Sequence, residues 1–112
     1  MLFRSEEVLP YFKKLESTDI GSDRYRGRHG PIKVTVAAKT SPFFDLFIES
    51  AKTVGYPENP DYTGDTQYGV AMAQETIYHG VRQSTASQYI GPARIRPNLT
   101  IRMGAEIGRA HV

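Results

Sequence analysis

Residues 41–55, SPFFDLFIESAKTVG, place the strongest demand on what this chain can fold into. Ser41 supplies an N-cap oxygen, and Pro42 fits the first helical position, where its missing N–H costs nothing. Phe43, Phe47, Ala51 and Val54 then form one stripe of a helix, Phe44 and Ile48 widen it, and Gly55 ends it. Burying three Phe and one Ile would contribute about 6–12 kcal/mol gross, so this face must dock on something. The chain has little to offer it. Its 112 residues suffice for one domain at most, and its apolar share of 39% is at the low end for a self-contained core.

The flanking sequence predicts short elements of both kinds. Glu6–Leu15 reads as a helix with Val8, Tyr11, Phe12 and Leu15 on one face, although Pro10 is tolerable only in a first turn. Charged residues 19–29 read as a surface loop closed by Gly27 and Gly30-Pro31. Ile32, Val34 and Val36 alternate with polar residues, as in a half-buried strand. Residues 56–64 form an irregular loop, and 68–78 a further strand that ends in a His79-Gly80 turn. Ser84–Ile90 reads as a short helix capped by Ser84 and stopped by Gly91-Pro92, with Leu99–Ile101 opening a last strand. The fold class is therefore α+β, with no internal repeat.

Charge and composition exclude several functions. The formal charge is +2, from 14 basic and 12 acidic residues, without a basic stripe, so nucleic-acid binding is not expected. No cysteine is present, which removes disulfide and thiolate chemistry. No apolar run reaches membrane-spanning length and no signal peptide is written, so a cytoplasmic location is the default expectation.

The two ends are read as foreign. With Met1 as a GTG start, residues 1–5 and 107–112 can be encoded by DNA strings that are reverse complements over GTGCTCTTCCGAT, like a sequencing adapter translated at both ends. The division expected is thus an adapter-encoded scar at 1–5, an internal protein segment at 6–106 and a second scar at 107–112. Leaving out Arg4 and Arg109 lowers the formal charge from +2 to 0.

The residues themselves write no complete active site. His29 and His79 stand in different loops without carboxylates at ligand spacing, so no metal site is expected. Ser84 lacks a nucleophile-elbow context and is better read as a cap. No glycine pattern forms a phosphate cradle. Asp61 and Asp65 lack the alternating ligands of a calcium loop and are read as solvated carboxylates. Arg94, Arg96 and Arg102 are read as a solvated loop. Tyr62, Tyr68, Tyr78 and Tyr89 are read as core aromatics rather than a pocket lining.

The order of several short motifs resembles one family. Glu7-Val8-Leu9-Pro10-Tyr11-Phe12-Lys13-Lys14, Tyr25-Arg26-Gly27 with Gly30-Pro31-Ile32, Phe47-Ile48 with Ala51 and Gly55-Tyr56-Pro57, and Asp61-Tyr62 with Gly64 follow the wording of glucose–methanol–choline oxidoreductases. Gly69 with Gln74, then Gly80, Arg82, Ser84, Ala86 and Tyr89, and finally Arg96–Ile101 before Gly104-Ala105 continue it. Each piece is weak alone, and their order over about a hundred residues makes the resemblance specific. Choline dehydrogenases and related alcohol dehydrogenases are the members it is most similar to.

The resemblance implies an incomplete segment of that flavoprotein fold, with substrate-domain elements and a strand returning toward the FAD-binding domain. It implies FAD as the parent's cofactor, a small choline-like or other primary alcohol as substrate, and a separate electron acceptor. In the family a hydride passes to the flavin while a distant histidine takes the hydroxyl proton. The dinucleotide fingerprint and that histidine lie outside this window, so no catalytic residue is assigned. Ile107 stands where relatives touch the adenine end of FAD, within the stretch read as scar. Gln74 is the candidate for a substrate-side position. The segment alone is expected to be inactive and not to retain FAD. The alternative is a stand-alone α+β binding module without catalysis.

Overall fold

The computed structural model describes residues 4–38, 41–106 and 108. Helix α1 spans Ser5–Leu15. Its first turn is closed by Glu7, whose Oε2 accepts from the Arg4 N–H at 3.1 Å. Pro10 is the sixth residue of α1, beyond the first turn in which it was expected. The partner it denies is the carbonyl of exposed Glu6, which water can satisfy. Lys13 and Lys14 occupy the last turn, where the helix dipole favours cations.

The chain then runs into β1 (Glu16–Ser17), which pairs in parallel with β2 (Ile32–Lys33). The strand expected over 32–36 changes partner at Val34, whose N–H still reaches Ser17 O; β3 (Thr35–Val36) pairs antiparallel with β4 (Gln74–Glu75). The strand expected over 68–78 is divided for the same reason. Val70 bridges to Glu58, Gln74 and Glu75 pair with β3, and β5 (Ile77–Tyr78) forms a hairpin with β6 (Val81–Arg82). His79 and Gly80 have positive φ at 50° and 74°, the geometry of the two-residue turn that joins twisted strands best.

Helix α2 spans Phe43–Thr53. Ser41 caps it as expected, its Oγ accepting from Phe43 N–H at 3.3 Å. Its end is a Schellman motif: Tyr56 N–H donates to Ala51 O and Gly55 N–H to Lys52 O, with Gly55 at φ 96°.

The third helical region departs from expectation. Ser84 does cap it, in reciprocal bonds with Ser87: each Oγ accepts the other's N–H, at 3.1 and 3.0 Å. The helix does not stop at Gly91-Pro92, however. A π-helical turn over Ala86–Ile90 runs directly into α3 (Gly91–Ala93). Gly91 keeps right-handed helical angles and donates to Ala86 O, five residues back. The wider turn admits Pro92, which has no N–H to give. Leu99–Ile101, expected to open a last strand, forms none.

The core is small. Among the described residues, Ile32, Ile48 and Val70 are the buried hydrophobics. Phe43 is 75% exposed and Phe47 67%. Tyr11 and Phe12 on α1 are uncovered as well, as are Tyr68, Tyr78 and Tyr89, which were expected in the core. The radius of gyration is 18.4 Å, against about 13 Å for a compact chain of this length. The accessible surface is 9663 Å², against about 6,200 Å² for a folded monomer of this mass. The docking partner that the α2 face requires is not supplied by the described residues.

Candidate functional site

The interior of this chain is organised by a charge. Arg26, in the Tyr25-Arg26-Gly27 run, is only 3% exposed, although it falls within the stretch expected to be a surface loop. The loop is drawn inward because Thr18 N–H donates to Gly27 O and Ser17 Oγ donates to Arg28 O, closing 18–28 on itself. Arg28 secures it by donating to the carbonyls of Thr18, Ile20 and Gly21. The Arg26 guanidinium then lies between two carboxylates. Its Nη1 is 3.0 Å from Asp61 Oδ1 and its Nη2 3.1 Å from Glu16 Oε2. The Nη2 N–H is not aligned for a hydrogen bond, and Nε has no partner among the described residues. A buried cation held by two carboxylates is tolerated because the pairing offsets its desolvation.

Asp61 carries the arrangement further. Its Oδ1 also accepts from Thr63 Oγ1 at 3.0 Å and from Gln74 Nε2 at 3.1 Å. It is therefore not the solvated carboxylate expected from the sequence. Buried Asn59 fixes the loop that presents it: Asn59 Oδ1 accepts from Asp61 N–H, and its Nδ2 donates to Thr66 O and Tyr68 O. Asp65 is likewise engaged, accepting from the Tyr25 hydroxyl at 2.6 Å. That bond, chiefly, pushes the Tyr25 pKa up from 10.0, because only the protonated hydroxyl can donate it.

Gln74 opens β4, half-buried. Its main-chain N–H donates to the Tyr62 hydroxyl at 2.7 Å, and its side-chain Oε1 accepts from Thr63 Oγ1 at 3.1 Å. It borders a cavity of about 450 Å³ whose apolar wall includes Leu9, Phe12, Ile32 and Val34 and whose polar wall includes Arg26. The side-chain amide can donate and accept one bond each beyond those it makes within the cluster. No histidine borders this cavity. The site can orient a ligand, and the carboxylate on its wall, Glu16, is already engaged by Arg26 and the Gly27 N–H.

The other candidates stay apart from this cluster. His79 sits in the β5–β6 turn against the Tyr78 ring, and exposed His29 lines a groove with Lys13 and Lys14. Among the described residues no group of three or more His, Asp or Glu could hold a metal ion. Arg94, Arg96 and Arg102 are exposed. Ile107 lies outside the described residues. Among the described residues no strand leads through a glycine-rich turn into a helix, the arrangement that cradles a dinucleotide, and the first strand-to-helix connection, from β3 to α2, contains no glycine. The residue that sequence reasoning passed over is Arg26. Its signal was an ionisable side chain inside one quoted family motif, with its partner, Asp61, inside another.

No protein-family model matches the chain. Curated proteins do. The chain is 37% identical over 98 residues to the oxygen-dependent choline dehydrogenase of Brucella ovis, covering 88% of this chain and 18% of that protein. It is 39% identical over 95 residues to the protein of the same name from Sinorhizobium fredii, covering 85% and 17%. Among solved structures it matches the pyridoxine 4-oxidase from Mesorbium loti with a TM-score of 0.77 and 30% identity, covering 86% of this chain and 19% of that one. Over the matched segment the chain is a homologue of the glucose–methanol–choline oxidoreductases. It resembles oxygen-dependent choline dehydrogenases in sequence and pyridoxine 4-oxidase in structure, and spans less than a fifth of their lengths. Among the described residues no helix is long and apolar enough to cross a membrane.

Proposed function

We propose that residues 6–106 form an internal segment of an FAD-dependent alcohol oxidoreductase, with 1–5 and 107–112 as adapter-encoded ends. The segment contributes substrate-domain elements, and Gln74 faces the substrate side. The parent oxidises a small primary alcohol, and the names of the relatives point to choline or pyridoxine as the first to try. Its cofactor and electron acceptor are bound by polypeptide of the kind that surrounds this segment in the relatives, in a cytoplasmic protein. The segment by itself has no oxidoreductase activity and does not retain flavin.

One observation carries this reading: a chain 37% identical to a choline dehydrogenase over 98 residues leaves the apolar faces of α1 and α2 open to water. A stand-alone module would cover its three-phenylalanine face within its own fold. The test is dialysis of the purified chain against FAD. The expected result is no bound flavin and no alcohol-dependent reduction of an added acceptor dye. Stoichiometric flavin that survives gel filtration would overturn it.

A further inference from the structure

We propose that Arg26 is a positioning residue for Gln74, acting through Asp61. The inference rests on the substrate-side reading of Gln74 for its functional meaning, and on geometry alone for its physical content. A glutamine amide has two faces that differ only in which end donates. Left to solvent, it rotates freely and presents neither end reliably. Here the donating end has a fixed partner and the accepting end a shared one. Nε2 donates to Asp61 Oδ1 at 3.1 Å, and Oε1 lies 3.1 Å from Thr63 Oγ1.

The Thr63 hydroxyl has one proton and two acceptors within reach, Gln74 Oε1 and Asp61 Oδ1 at 3.0 Å. What decides the amide's orientation is therefore Asp61, which as a carboxylate can only accept. Asp61 is held by Arg26 Nη1 at 3.0 Å, and Arg26 is anchored on its other side by Glu16, itself fixed by the Gly27 N–H at 2.8 Å. Glu16, Arg26, Asp61 and Gln74 form a relay across segments 35 and 13 residues apart in sequence. The Gln74 backbone is held separately, by the Tyr62 hydroxyl. Main-chain position and side-chain orientation thus have independent supports.

That independence gives the test. In the full 112-residue chain, side-chain and main-chain amide resonances of Gln74 are followed by ¹H–¹⁵N NMR, with exposed Gln67 as the internal reference. Arg26→Gln removes the charge that holds Asp61. The expected result is that the two Gln74 side-chain N–H signals move onto those of Gln67, while the Gln74 main-chain signal stays in place. Arg26→Lys keeps a charge without the fork and restores part of the shift. Should Arg26→Gln fail to fold, Asp61→Asn is read instead, with the same displacement confined to the side chain. Unmoved side-chain signals, or side-chain and main-chain signals moving together, would overturn the proposal. No substrate enters this measurement, so it stands or falls apart from the role of Gln74 in the parent enzyme. That role is tested by kcat/KM of a Gln74→Leu intact enzyme.

Discussion

Helix α2 should respond to truncation in the reverse of the order that residue size suggests. Phe47 is the larger side chain, yet it is 67% exposed, while neighbouring Ile48 is 6% exposed. A phenylalanine offers about 200 Å². The third of it that Phe47 buries amounts to about 65 Å², or about 1.6 kcal/mol at the usual transfer coefficient. Replacement by alanine recovers about 0.5 kcal/mol of helix propensity, so Phe47→Ala should cost about 1 kcal/mol. Ile48→Ala removes a buried side chain and leaves a cavity, at about 2–4 kcal/mol. Native-state hydrogen exchange of the α2 amides reads the difference: about five-fold faster exchange for Phe47→Ala and about a hundred-fold for Ile48→Ala. An equal or larger effect from Phe47→Ala would mean that the phenylalanine face is covered in the isolated chain. The claim that α2 awaits a partner would then fail.

Two further perturbations test the polar interior and its supports. The raised pKa of Tyr25 means that its bond to Asp65 stabilises the fold fully below pH 10 and is lost as pH rises through the folded-state value. Absorbance titration of the 7 tyrosines should show one late-ionising group that disappears in Tyr25→Phe, and a titration identical in both proteins would contradict the assignment. Gly69 has φ 128°, and a Cβ there would lie 2.5 Å from Pro57 O. Gly69→Ala should cost well over 1 kcal/mol and release the Asn59 N–H from Val70 O, seen as lost exchange protection of Asn59, whereas retained protection would show that the backbone yields there.

What the sequence made legible was written in neighbouring residues. Caps at Ser41 and Ser84, the stop at Gly55 and the turn at His79-Gly80 each depend on a few adjacent positions, and local chemistry decides them. What stayed hidden depended on distant partners. Strands 32–36 and 68–78 have the right alternation, but they change partner midway, and periodicity does not record pairing. Gly91-Pro92 carries a stop signal that a π-turn overrides. Arg26 sits in a charged, glycine-flanked run indistinguishable from a solvated loop until Glu16 and Asp61 are brought to it.

The two kinds of interaction in this chain are completed to different degrees, and that difference bears on function. The polar relay from Glu16 to Gln74 closes almost entirely within the described residues, with Asp61 meeting Arg26, Thr63 and Gln74 at one oxygen. The apolar faces of α1 and α2 do not close. Buried polar groups without partners are costly, so a segment must satisfy them where they arise. Apolar surface is non-directional and can be covered by any later element of sufficient area. A self-sufficient domain of this length would close both, covering its apolar faces as well as pairing its buried polar groups. Local polar closure with open apolar faces is the balance the proposed role as a segment of a larger body calls for, and it leaves the orientation of Gln74 set by partners within this chain.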